Sequence, residues 1–148
     1  MQSTAAMIRG VAKKSQAQFA LALSSGPRRQ VAGFAWGWSD PLDKINTEKI
    51  RIPEPEMLQL AQSIDTPIDT PFFYISEVGV RSEYRGQGAG KRLLGTLLDQ
   101  TGTSPLILRT SRKSPLYGIC SNTRRRFVES FGYNDALERV LLTSPALS

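Results

Sequence analysis

Residues 72–102 read in one order: strand, glycine-rich turn, helix, stop. Phe72-Phe-Tyr-Ile-Ser-Glu-Val-Gly-Val80 is dense in aromatic and β-branched residues, the composition of a strand. Gly86, Gly88 and Gly90 then punctuate the chain. Leu93, Leu94, Leu97 and Leu98 recur at helical spacing, and Gly102 stands where a helix stops. Leu106-Ile-Leu-Arg-Thr110 reads as the next strand. Strand and helix alternating this closely exclude an all-helical or all-strand chain and require a mixed, partly parallel sheet.

The rest of the chain fits that frame. Gln18 to Ser24 and Gln30 to Trp38 read as two strands, joined by a turn that Gly26 and Pro27 punctuate, and together they predict an antiparallel hairpin. Residues 39–71 hold five of the nine prolines and a local charge of −4. Inside them Glu54 to Ile64 is helix-like, with Met57, Leu58, Ala61 and Ile64 on one side, so the stretch reads as a long loop carrying one short helix. Ser114 and Pro115 mark a helix start. Leu116, Ile119, Cys120, Thr123, Phe127 and Phe131 keep helical spacing to Gly132, and Leu137 to Thr143 reads as a final strand. Residues 1–16 are weakly patterned, and no internal repeat is visible.

At 148 residues the chain has the length of one domain, 1–148. The longest apolar runs, such as Phe19-Ala-Leu-Ala-Leu23, are far short of the roughly 20 residues a membrane helix needs. The start does not read as a secretory signal, so the cytoplasm is the default expectation. The single cysteine, Cys120, allows no internal disulfide, and there is no Cys/His cluster for a metal. The absence of histidine excludes a Ser-His or Cys-His pair. Residues 1–80 are electrically neutral, and the whole net charge of +6 lies in residues 81–148. That bias suits a phosphate-rich partner there, although a solvated basic surface explains it equally well.

The run Arg85-Gly-Gln-Gly-Ala-Gly90, followed by Lys91 and Arg92, is the best candidate for such a site. Glycines let several N–H groups point into one concavity, and the helix behind them adds its positive end. A P-loop needs four residues between its first Gly and Gly-Lys, then Ser or Thr; here Gly86 and Gly90 enclose three, and Arg92 follows. The dinucleotide fingerprint G-x-G-x-x-G also fails against Gly86, Gly88 and Gly90. A third pattern fits. A strand ending in Val80, four residues, then Arg85-x-x-Gly88-x-Gly90 leading to Leu93-Leu94 resembles the acetyl-CoA signature of the GNAT superfamily of N-acetyltransferases.

The resemblance extends along most of the chain. It implies an α/β (α+β) fold: a mixed, mostly antiparallel central sheet with a V-shaped splay between two parallel strands, flanked by helices. Against the family pattern the resemblance implies either a shortened N-terminal strand and helices or a start that lies upstream, because only 17 residues precede Gln18. It further implies an acetyl-CoA-dependent N-acetyltransferase, with acetyl-CoA as co-substrate, no metal, and a small-molecule or peptide amine as acceptor. The main chain of Val78, Gly79 and Val80 would bind the pantetheine arm. Arg85, Gly86, Gln87, Gly88, Ala89, Gly90 and Lys91 would hold the diphosphate, and an N–H near Val78 would polarise the thioester carbonyl.

The amine must lose a proton before it attacks. Glu77 is the candidate base, as an acid on the otherwise apolar row Phe73, Ile75, Gly79; an ordinary salt bridge is the alternative. In the family a late-helix Tyr protonates the leaving thiolate. In this chain Phe127 to Tyr133 resembles that helix, and Val128 stands at the tyrosine's place. Tyr117 is the candidate substitute, with packing as its alternative. Of Arg124, Arg125 and Arg126, which could reach the 3′-phosphate, two are expected on a solvated face. The acidic 39–71 stretch hints at a cationic acceptor. A non-catalytic acyl-CoA sensor is the competing reading. No membrane or nucleic-acid partner is expected, and a homodimer is left open.

Overall fold

An alternation of small and large side chains shapes the hairpin. Along β2 (Gln18–Ser24) and β3 (Val31–Pro41), the small residues Ala20, Ala22 and Ala35 are buried. Phe19, Leu21, Leu23, Phe34 and Trp36 alternate with them and are only half-buried or exposed. The two strands pair antiparallel, Phe19 opposite Trp36 and Leu21 opposite Phe34. The computed structural model describes residues 17–25 and 27–147, with residues 3–9 as backbone only; Gly26 lies outside the described residues.

The other elements are β1 (Ser3–Arg9), α1 (Leu42–Ile45) running into a π-helical turn (Asn46–Ile50), α2 (Glu54–Ser63), β4 (Pro71–Val80), α3 (Ala89–Gln100), β5 (Leu106–Ser111), α4 (Pro115–Cys120), β6 (Val128–Gly132) and β7 (Arg139–Ser144). They gather into two compact units, Met1–Trp38 with Ile75–Gly102, and Ser39–Tyr74 with Thr103–Ser148. The architecture is a mixed, mostly antiparallel sheet with one parallel pair, flanked by helices, as the sequence predicts.

In the first unit the strand order is β1-β2-β3-β4. Helix α3 packs on the small-residue face of the hairpin, burying Leu93, Leu94 and Leu97 completely. Each buried leucine contributes about 1.5–3 kcal/mol. Gly33 shows how close the approach is. A Cβ there would sit 2.6 Å from the Gly79 carbonyl oxygen and 2.9 Å from Leu93 Cδ1. The Gln100 side chain donates to the Phe19 carbonyl at 3.3 Å, and Gly102, at φ +61°, ends the helix.

In the second unit the order is β4-β5-β7-β6. The Phe73 N–H donates to the Pro105 carbonyl at 2.9 Å. Residues at the starts of β4 and β5 are thereby joined, as a parallel pair requires. Leu106, Ile107 and Leu108 are all buried, the continuous apolar run of a strand covered on both faces.

Three stretches differ from the sequence reading. Residues 39–71 are not a loop with one helix. They hold α1, the π turn and α2, with Leu42, Ile45, Ile50, Met57 and Leu60 buried. The Asn46 side chain brackets Ile52, accepting from its N–H at 2.8 Å and donating to its carbonyl at 3.0 Å. The helix begun at Ser114 does not run to Gly132: it ends at Cys120, and Val128–Gly132 is β6, paired antiparallel with β7. At the other end, β1 forms in a stretch with little sequence pattern, pairing antiparallel with β2.

Candidate functional site

The glycine-rich turn has the geometry of an anion nest. Gly86 at φ +81° and Gly88 at φ +78° lie in the left-handed region, open to glycine and strained for other residues. Gly88 is the N-cap of α3, so no side chain caps the helix, and its first turn carries no acid. The leading N–H groups of α3 therefore keep their donor capacity toward an incoming anion. Around the nest, Arg85 and Lys91 are exposed, and Arg85 Nε donates to the Val80 carbonyl at 3.2 Å, closing the turn onto the end of β4. Tyr84 is buried beneath and reaches Gln30 Oε1 at 3.4 Å. Gln87 Oε1 is buried with no partner among the described residues. The left-handed glycines, the uncapped helix and the flanking cations fit a diphosphate such as that of coenzyme A.

Every residue named for cofactor binding, Val78 to Val80 and Arg85 to Lys91, lies in the first unit with Glu77. Glu77 is exposed near the end of β4. Among the described residues it makes no ion pair, so the salt-bridge alternative for it finds no partner there.

Tyr117 lies in the second unit, on α4, whose N-cap Ser114 accepts from the Leu116 N–H at 3.2 Å. The Tyr117 hydroxyl donates to Glu129 Oε1 at 2.5 Å. Arg112 grips the same carboxylate with two bonds, 3.0 Å and 2.8 Å. Hydrogen bonds from Arg112 and Tyr117 hold the Glu129 carboxyl down at about 2, and the bond to Glu129 raises the Tyr117 phenol. Arg112 and Glu129 were not singled out in the sequence. Twelve residues separate Tyr117 from Glu129, and only the β6–β7 pairing brings the carboxylate within reach.

Val128, assigned to a late helix by resemblance, is on β6. Arg125 is buried and donates to the carbonyls of Ser104 and Pro145 at 2.7 and 2.8 Å, while Arg124 and Arg126 are exposed. Cys120 is buried, and burial pushes its thiol up to about 12, so it is no thiolate nucleophile. Among the described residues no group of His, Cys, Asp and Glu could hold a metal, and no helix is long and apolar enough to cross a membrane.

No curated protein matches the chain. Solved structures do. Arabidopsis thaliana NAA60 in complex with a bisubstrate analogue superposes with a TM-score of 0.60 at 14% identity, covering 87% of this chain and 75% of that one. A Corynebacterium glutamicum structure described as histone acetyltransferase HPA2 and related acetyltransferase gives 0.55 at 17% identity, covering 90% and 67%. The NatC complex bound to Gag peptide and CoA gives 0.54 at 16% identity, covering 88% and 71%. At these identities the likeness speaks to the fold. The sequence profile of the acetyltransferase (GNAT) family matches residues 13–104, which contain both the hairpin and the nest. That match spans more than half of the chain, and the chain belongs to the acetyltransferase (GNAT) family, whose chemistry is acyl transfer.

Proposed function

We propose that this chain is an acetyl-CoA-dependent N-acetyltransferase acting on a primary amine. The observation that carries the reading is the nest itself: Gly86 and Gly88 in left-handed conformation at the uncapped start of α3. Acetyl-CoA supplies the activated acyl group as a thioester. The turn from Arg85 to Lys91 holds its diphosphate, and the main chain of Val78, Gly79 and Val80 orients the pantetheine arm. An ammonium with a pKa near 10 cannot attack, so a base must take its proton. Glu77, exposed near the end of β4, does so directly or through one water. The nitrogen then bonds to the carbonyl carbon and sheds its second proton to solvent, the C–S bond breaks, and the departing thiolate takes up a proton from a donor that solvent reprotonates. Tyr117 is the proposed donor of that proton, held in place by Glu129.

A non-catalytic acyl-CoA sensor is the second reading. It is favoured by the Tyr117 hydroxyl being already donated to Glu129. Titration calorimetry with acetyl-CoA and CoA, followed by thiol release with a panel of primary amines, tests both. The expected result is saturable heat with each nucleotide and amine-dependent thiol release. Heat without acetylation of any amine establishes the sensor, and no heat at all overturns the nest.

A further inference from the structure

Phe34 lies in the middle of β3, yet its large apolar side chain is 37% exposed. The ring lies on Gly79. A Cβ at position 79 would meet Phe34 Cε1 at 3.0 Å and Cζ at 3.4 Å. Gly79 has no left-handed φ to explain it, unlike Gly86 and Gly88. Its missing side chain is instead the seat of the ring. β4 is extended through Pro71–Val80, so Glu77 and Gly79 share a face, spaced by about 7 Å. Alternation along β3 puts Trp36 on the same face as Phe34, half-buried and stacked on Phe19 with ring centroids 5.5 Å apart. Helix α3 covers the opposite, small-residue face. Alternation thus puts the exposed Glu77 on the face that carries Phe34 and Trp36.

We infer that Phe34 is a specificity-determining residue for the acceptor, and that the acceptor is a primary amine with an alkyl or aryl group close to its nitrogen. The inference rests on the N-acetyltransferase reading with Glu77 as base. The carboxylate receives the ammonium, and the neighbouring ring covers the apolar substituent. An amine clothed in hydroxyl groups would have to shed water there with no donor or acceptor on the ring to replace it.

The test compares 2-phenylethylamine with ethanolamine by steady-state thiol release from acetyl-CoA, in wild type, Phe34→Ala and Phe34→Leu. Wild type is expected to prefer 2-phenylethylamine. Phe34→Ala should lower its kcat/KM about tenfold, mostly through KM, while ethanolamine and the KM for acetyl-CoA stay within about twofold. Phe34→Leu should recover most of the loss, which also controls for folding. An equal fall for both amines, an unchanged preference, or a wild type that favours ethanolamine overturns the inference and leaves the N-acetyltransferase reading standing. If wild type binds CoA but turns over neither these amines nor any of the wider panel, the catalytic reading fails and the inference falls with it.

Discussion

The nest on α3 and the trio of Arg112, Tyr117 and Glu129 are built on opposite principles. In the nest, main-chain N–H groups make the site, and the sequence needs only glycine where φ must be positive and a helix immediately after. In the trio, three side chains make the arrangement, and Arg112, Tyr117 and Glu129 come together only through a strand pairing. A main-chain site is written locally and is read locally. A side-chain site is written in the fold: residues 112–129 contain all three members, but no local pattern there marks them as partners.

The comparison is broken most sharply at Gly88. Its φ of +78° already disfavours a side chain, and a Cβ would stand 3.4 Å from Arg92 Nη1. Gly88→Glu also brings a negative charge to the place proposed for the diphosphate. Calorimetry is expected to show CoA affinity reduced at least a hundredfold, with circular dichroism unchanged. Wild-type affinity in that variant would remove the nest from the cofactor site.

The next effect in size belongs to Glu77. Glu77→Gln keeps the shape and removes the base, so kcat should fall about a hundredfold. Calorimetric CoA affinity should stay within about twofold, because the nest is untouched. An unchanged kcat would give the proton to water instead.

The same division governs what the sequence disclosed. The strand β2, the strand β4 and helix α3 were legible within a residue or so, because period-two alternation, β-branched density and leucine spacing are local signals. The glycine-rich turn was legible because its glycines sit in a strand–turn–helix context. The helix read from Ser114 to Gly132 failed because the apolar spacing of Leu116, Cys120, Phe127 and Phe131 also suits a short helix, a turn and a strand. Tertiary bonds decide between them. Arg125 is drawn inward onto the carbonyls of Ser104 and Pro145, and Val128–Gly132 finds a partner in β7. Residues 39–71 misled for a related reason. Their prolines suggested a loop, but Pro55 falls in the first turn of α2, where it is tolerated, and Pro41 precedes α1.

The smallest effect tests the trio, and its sign follows from the Glu129 carboxyl. With a native value of about 2 against an ordinary 4.5, the ionised form is favoured in the folded chain. Its contribution to stability is complete above the ordinary value and is lost as pH falls from there toward 2. The carboxylate is partly exposed, so water screens it, and a stabilisation of about 0.5–1 kcal/mol is the appropriate scale. Glu129→Gln should therefore melt about 2–4 °C below wild type at pH 7, with the gap closing as pH falls toward 2. Tyr117→Phe removes only one of the three bonds to that carboxylate, and should show a smaller gap with the same closure. A gap independent of pH would mean that neutral packing, not the charge on Glu129, holds α4 to β6. Tyr117→Phe then separates structure from chemistry at constant pH 7. As the proton donor, Tyr117 would show a loss in kcat much larger than its small change in melting temperature, whereas a melting change with unaltered kcat would leave it a strut between α4 and β6.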